Sequence, residues 1–110
     1  LERFNADGTP DTTFSGDGLV LTGFKTKGTP VDDRIHGLAV QGDGKIVAVG
    51  GINGLGLWGV ARFTVGGSLD TSFSGDGWLT DEFDRKRSSE FATSVAVQGD
   101  GKIVVASTAY

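Results

Sequence analysis

The chain has 110 residues and a formal net charge of −4, with 14 acidic and 10 basic side chains. It has no cysteine and one histidine, His36, which excludes a disulfide framework, a thiolate nucleophile and a histidine-rich metal site. The negative charge argues against broad nucleic-acid binding, and no apolar run reaches the roughly 18 residues of a membrane span. We therefore expect one small domain that binds neither nucleic acid nor membrane.

Short apolar segments separated by Gly and Asp-Gly predict an all-β chain. No segment repeats its apolar residues at helical spacing over ten residues. The segments are rich in Val, Ile, Leu and Phe, as strands are. In chain order the predicted strands are Leu1–Phe4, Leu19–Phe24, Ile35–Val40, Lys45–Gly50, Leu57–Phe63, Trp78–Phe83, Ala92–Val97 and Lys102–Ser107. Two of them, at Ile46–Gly50 and Ile103–Ala106, are apolar on both faces, so we expect each to lie between two packed layers.

The strands belong to two copies of one unit. Residues 1–24 align with 60–83, and Ala39–Val47 is identical in sequence to Ala96–Val104. A period of about 58 residues indicates one supersecondary unit per repeat. Four short strands per unit predict a four-stranded antiparallel meander, which is the blade of a β-propeller.

Aspartates mark the predicted turns. In Asp11-Thr-Thr-Phe14 and Asp70-Thr-Ser-Phe73, the carboxylate can accept hydrogen bonds from the backbone N–H groups that follow it. Such a turn would direct each phenylalanine into the core. Asp43-Gly44 and Asp100-Gly101 predict tight hairpins, because Asp and Gly tolerate positive φ.

These motifs resemble the delta-60 repeat family. The resemblance rests on Ala61-Arg-Phe63, the run Gly-Ser-Leu-Asp-Thr-Ser-Phe-Ser-Gly-Asp-Gly ending at Gly77, and Ala-Val-Gln-Gly-Asp-Gly-Lys-Ile-Val-Val at 96–105. It covers nearly the whole chain. It implies a propeller-forming repeat of bacterial, often secreted or cell-surface, proteins, and it implies no catalytic residues. The chain departs from the family pattern at Gly42 and Gly99, where proline is usual, and at residues 64–67, where the family favours Asn-x-Asp-Gly.

The repeat frame predicts one complete blade and two half-blades. Residues 1–34 would hold strands 3 and 4 of a blade with a connecting loop, 35–83 a complete blade, and 84–110 a loop with strands 1 and 2. A propeller needs about four to eight blades, and unpaired strand edges tend to pair with another chain. We therefore expect a cyclic homo-oligomer in which half-blades of different copies combine. The alternative is a fragment of a longer array, folded as a small open β-sandwich or dimer.

Successive loops of a meander alternate between its two ends, which separates the charges. One end would collect seven aspartates: Asp7, Asp11, Asp17, Asp43, Asp70, Asp76 and Asp100. The other would carry a basic set that is a candidate face for a ligand or partner: Lys25, Lys27, Arg85, Lys86 and Arg87. For any single one of these charges, a solvated loop residue is the more common explanation.

Asn5, Asp7 and Asp11 are the candidate metal ligands. Calcium takes oxygen atoms from closely spaced side chains in a Gly-containing loop, as these three could provide. The cation Arg3 precedes them, and the second copy of the loop has Thr64 and Gly66 in the positions of Asn5 and Asp7. A repeated site would keep its ligands in both copies, so the sequence predicts no metal site and no cofactor.

The sequence predicts a non-catalytic structural or binding module that self-assembles into a closed β-propeller. Its expected partner is itself, and secretion or surface location follows from the resemblance. The alternative function is glycan or small-ligand binding, with calcium as an aid, at the loop faces or central channel. Catalysis is not expected, because no aspartate sits in an evident apolar pocket that would raise its pKa.

Overall fold

The computed structural model describes residues 1–19, 33–52, 57–81 and 90–109, and within these ranges the chain is all-β. A four-stranded antiparallel sheet has the order β1-β2-β3-β4, and a hairpin of β5 and β6 forms a second sheet. The strands are β1 (Asp33–Val40), β2 (Ile46–Ile52), β3 (Leu57–Phe63), β4 (Trp78–Asp81), β5 (Glu90–Val97) and β6 (Ile103–Ala109). The described part has no helix long and apolar enough to cross a membrane.

Most predicted strands agree with the structure to within two residues at each end. β3 coincides with its prediction, and β1 begins at Asp33, two residues before the predicted unit boundary at Ile35. β4 begins at Trp78 as predicted, and the predicted boundary at Phe83 lies outside the described residues.

The N-terminal segment (residues 1–19) departs from the prediction. Leu1–Phe4 does not form a regular strand and makes only isolated antiparallel bridges, Glu2 with Leu19 and Phe4 with Pro10. The rest of the predicted strand Leu19–Phe24 lies outside the described residues. The equivalent strand β3 pairs with β2 as well as β4. Among the described residues, no strand in the position of β2 forms a bridge with Glu2 or Phe4, so the ladder that would extend this segment as a strand is missing.

The hairpin turns depend on glycine alone for positive φ. Gly44 has φ 86° and Gly101 has φ 88°, whereas neither aspartate lies in the left-handed region. Asp43 instead accepts a hydrogen bond at Oδ1 from the Lys45 backbone N–H, at 3.1 Å. The Gly44 N–H donates to the Gln41 carbonyl at 2.9 Å, which is the pattern of a three-residue loop closed by a left-handed glycine.

Strand β2 lies between two apolar layers, as predicted. Its alternate side chains Ile46 and Ala48 belong to a cluster that the N-terminal segment completes with Phe14. Val47 and Val49 on the other face belong to a second cluster, which β5 completes with Ala92. The sheet is therefore covered by residues 1–19 on one face and by the β5–β6 hairpin on the other.

The same prediction is wrong for β6. Ile103 and Val105 pack against the second cluster, but Val104 and Ala106 on the opposite face are exposed. In the described residues no layer covers that face.

The first strands of the two sheets approach each other closely. Each contains a bulge, between Ile35 and Gly37 in β1 and between Ala92 and Ser94 in β5. A Cβ added at Gly37 would lie 3.2 Å from Ser94 Cα and 3.3 Å from the Thr93 carbonyl oxygen. Glycine at this position therefore allows backbone contact between β1 and β5.

Candidate assembly interface

A buried carboxylate ties the two halves of the four-stranded sheet together. Asp70 is 6% exposed. Its Oδ2 lies 2.8 Å from Arg62 Nε on β3 and 2.9 Å from Lys45 Nζ at the start of β2. The backbone N–H and the hydroxyl of Ser72 donate to Oδ1, at 3.1 and 2.6 Å. We call Lys45, Arg62, Asp70 and Ser72 the aspartate clamp.

The clamp keeps Asp70 ionised. The Ser72 hydroxyl, followed by Lys45 and Arg62, holds the pKa of Asp70 well below its ordinary value, although partial burial acts in the opposite direction. Arg62 also lies over the ring of Phe73, 5.0 Å from its centroid. Arg62 and Asp70 thus connect the turn, the ion pairs and the aromatic ring in one set of contacts.

The N-terminal segment holds the same arrangement without the lysine. Arg3 Nε lies 2.8 Å from Asp11 Oδ2, and Thr13 donates to Oδ1 through its backbone N–H and hydroxyl. Arg3 lies 4.5 Å from the centroid of the Phe14 ring. Thr13, and then Arg3, lower the pKa of Asp11. No lysine of the described residues pairs with this carboxylate.

Six large apolar side chains are exposed in the described part of the chain: Phe4, Ile35, Leu38, Val40, Val65 and Val104. Five of these have a repeat equivalent that packs in a core. Phe4 is 56% exposed and its equivalent Phe63 is 2% exposed, while Val104 is 50% exposed and its equivalent Val47 is fully buried. The identities of these residues do not explain the difference, since valine occupies both positions of the second pair.

Four of these six exposed side chains lie on two faces, one on the four-stranded sheet and one on the hairpin. Leu38 and Val40 pair across the sheet with Ala48 and Ile46, and so share the face of the sheet that residues 1–19 only partly cover. Together with Ile35 they form what we call the β1 face. Val104 and Ala106, on the outer side of the hairpin, form the β6 face.

The candidate calcium ligands are used in turns. Asp7 accepts hydrogen bonds from the backbone N–H and hydroxyl of Thr9, and these lower its pKa. Asn5 donates its amide N–H to the Thr9 hydroxyl, and Asp11 pairs with Arg3. No group of three or more His, Asp or Glu side chains in the described ranges is arranged to hold a metal ion.

All seven aspartates of the predicted acidic end accept a hydrogen bond from the backbone N–H two residues later. The acceptors are Asp7, Asp11, Asp17, Asp43, Asp70, Asp76 and Asp100. These carboxylates therefore fix turns. The basic candidate set, Lys25, Lys27, Arg85, Lys86 and Arg87, lies outside the described residues.

Sequence reasoning missed the aspartate clamp, although a signal for it was present. In both copies an arginine precedes the turn aspartate by the same interval, Arg3 before Asp11 and Arg62 before Asp70. The contribution of Lys45 had no such signal, because strand pairing alone brings it to Asp70.

One family model matches the chain, over residues 2–14 and 41–73; its description is "Domain of unknown function (DUF5122) beta-propeller". The first stretch contains Arg3 and Asp11, and the second contains Lys45, Arg62 and Asp70. No curated protein and no solved structure matches the chain significantly. The family match supports a β-propeller-type repeat, and the all-β antiparallel sheets are consistent with propeller blades.

Proposed function

We propose that this chain is a non-catalytic structural repeat module of the delta-60 type that assembles with copies of itself into a β-propeller. The observation that carries this proposal is that, among the described residues, five of the six exposed large apolar side chains are equivalent to residues packed in a core. A second copy that repeated the internal packing would cover them.

The β1 face and the β6 face are complementary. Within the chain, Val95 and Val97 of β5 pack against the cluster of Val47 and Val49. Val95 and Val97 are equivalent to Leu38 and Val40 of the β1 face, while Val47 and Val49 are equivalent to Val104 and Ala106 of the β6 face. The β1 face of one copy can therefore pack against the β6 face of another with the geometry already used inside the chain.

The open strand edges fit the same arrangement. Strand β2 pairs with β3 through Ile46 opposite Phe63 and Ala48 opposite Ala61. Transferred through the repeat, this register places Ile103 of one copy opposite Phe4 of the next, and Val105 opposite Glu2. The β5–β6 hairpin would then form a four-stranded blade with Leu1–Phe4 and the predicted strand Leu19–Phe24 of the next copy, which removes two unpaired edges.

The resulting contact is head-to-tail, so the assembly closes when the rotation between copies divides a full turn. Each copy supplies the equivalent of two blades. Since propellers have about four to eight blades, roughly two to four copies would complete the ring.

Light scattering on a sizing column, over a concentration series, tests the proposal. We expect one discrete oligomer of about two to four copies. A monomer of 11.4 kDa at every concentration would overturn self-assembly.

A matched pair of substitutions tests the faces. Val104→Glu places a charge in the proposed contact and should yield monomers. Val65→Glu is the control, because Val65 is equally exposed (49%) but lies outside both faces, and it should assemble like the parent chain. Circular dichroism verifies that both variants remain folded. Normal assembly of folded Val104→Glu would contradict the proposed interface.

A further inference from the structure

The aspartate clamp crosses the seam at which two half-blades would join. Lys45 lies at the end of the β1–β2 hairpin, whereas Arg62 and Asp70 lie on β3 and in the turn after it. In the proposed assembly the first part comes from one copy and the second from another. This inference rests on the proposed function and adds to it the chemistry that aligns the two chains.

Each end of the chain carries one part of a clamp. The N-terminal segment has Arg3, Asp11 and Thr13 in the positions of Arg62, Asp70 and Ser72. The β5–β6 hairpin has Lys102 in the position of Lys45.

The hairpins that carry the two lysines have the same geometry. Gln41 N–H donates to the Lys45 carbonyl at 2.8 Å, and Gln98 N–H donates to the Lys102 carbonyl at 2.7 Å. Lys102 is nevertheless far more exposed, at 78% of its side chain against 32% for Lys45. Its nearest carboxylate in the described residues is its neighbour Asp100, at 3.8 Å.

We infer that Lys102 of one copy binds Asp11 of the next copy, beside Arg3, and that this ion pair fixes the register between β6 and Leu1–Phe4. A slip of one residue would turn the apolar side chains to the wrong face. A slip of two residues keeps the faces but moves Lys102 by about 7 Å along the strand, beyond the reach of the carboxylate. The ion pair thus disfavours a slip of two residues, which hydrophobic packing alone would allow.

The register can be read by cross-linking, because the chain has no native cysteine. Glu2→Cys and Val105→Cys variants, mixed and oxidised, should form a disulfide-linked dimer, since paired strand positions lie within disulfide range. The control mixture, Glu2→Cys with Ile103→Cys, is displaced by two residues and should give little cross-linked product.

The ion pair is tested by the dissociation constant of the assembly. Lys102→Met retains the aliphatic stem without the charge and should raise the dissociation constant about tenfold, whereas Lys102→Arg should largely restore affinity. Asp100→Asn is the control on the same hairpin and should not weaken assembly, because its amide oxygen can still accept the Lys102 backbone N–H.

The outcomes separate this inference from the proposed function. A monomeric parent chain overturns both. A stable oligomer that Lys102→Met leaves unchanged, or that cross-links through Ile103→Cys in preference to Val105→Cys, overturns the ion pair and its register while self-assembly stands.

Discussion

Lys45 Nζ lies 2.9 Å from Asp70 Oδ2, and this contact joins the β1–β2 hairpin to the turn that follows β3. The two residues are far apart in sequence and meet only because β2 and β3 pair in register. The same carboxylate also binds Arg62 and caps its own turn through Ser72. Asp70 therefore links strand pairing, turn geometry and core packing at one point.

Stability should fall in acid because of Asp70. Its pKa is lower in the folded chain than in the unfolded chain, where it is about 3.9. The charged form therefore stabilises the fold above about pH 4, and this contribution is lost as the pH falls through the folded value. Urea denaturation between pH 7 and pH 2 should show this loss.

Asp70→Asn provides the matched comparison. The variant should be less stable at pH 7 and should lose less stability in acid than the parent chain. Measured on a single copy of the chain, Asp11→Asn should have the smaller effect at pH 7, because Asp11 pairs with Arg3 but with no lysine of the described part. If the parent chain and Asp70→Asn lost the same amount of stability in acid, Asp70 would not be the residue responsible for the loss.

Proline at the hairpin tips should stabilise the protein. Gly42 and Gly99 have no atoms within 4 Å of an added Cβ and do not have positive φ. Proline favours the first central position of such a turn and restricts the unfolded chain, so each substitution should add about 0.4–1 kcal/mol. Thermal unfolding of Gly42→Pro measures the gain.

The neighbouring glycine is the control for that prediction. Gly44 has φ 86°, and an added Cβ would lie 3.1 Å from Val65 Cγ2. Gly44→Ala should therefore lower the melting temperature. A stabilised Gly44→Ala variant would show that the turn has another conformation.

Phe14→Ala should release the N-terminal segment from the sheet. Phe14 is fully buried in the first cluster, and truncating such a side chain costs about 3–5 kcal/mol. Amide hydrogen exchange should become fast within residues 3–18, whereas the amides of β2 and β3 should remain protected. Simultaneous loss of protection in β2 would show that the segment does not open independently.

Gly37→Ala should weaken the contact between β1 and β5. The new Cβ would lie 3.2 Å from Ser94 Cα, and a backbone atom cannot move aside as a side-chain end can. We expect a lower urea midpoint, with exchange accelerated first in β5 and β6. Gly99→Ala is the control, because nothing lies within 4 Å of its added Cβ.

Local chemistry explains why the sequence predicted so much of the fold. Apolar β-rich runs bounded by Asp and Gly placed the ends of β1, β2, β3, β5 and β6 to within two residues. The turns at Asp11 and Asp70 followed from a carboxylate that accepts nearby N–H groups, and Phe14 and Phe73 pack as expected. These features depend on neighbours in sequence, so the sequence alone determined them.

The tertiary structure alone decided which equivalent residues are buried. Ala39–Val47 and Ala96–Val104 have the same sequence, yet Val47 is fully buried and Val104 is half exposed. Likewise Lys45 reaches a carboxylate across a strand pair, whereas Lys102 extends into solvent beside Asp100. Burial and ion pairing depend on the layer or strand that lies opposite, and two identical segments differ when only one of them has that neighbour.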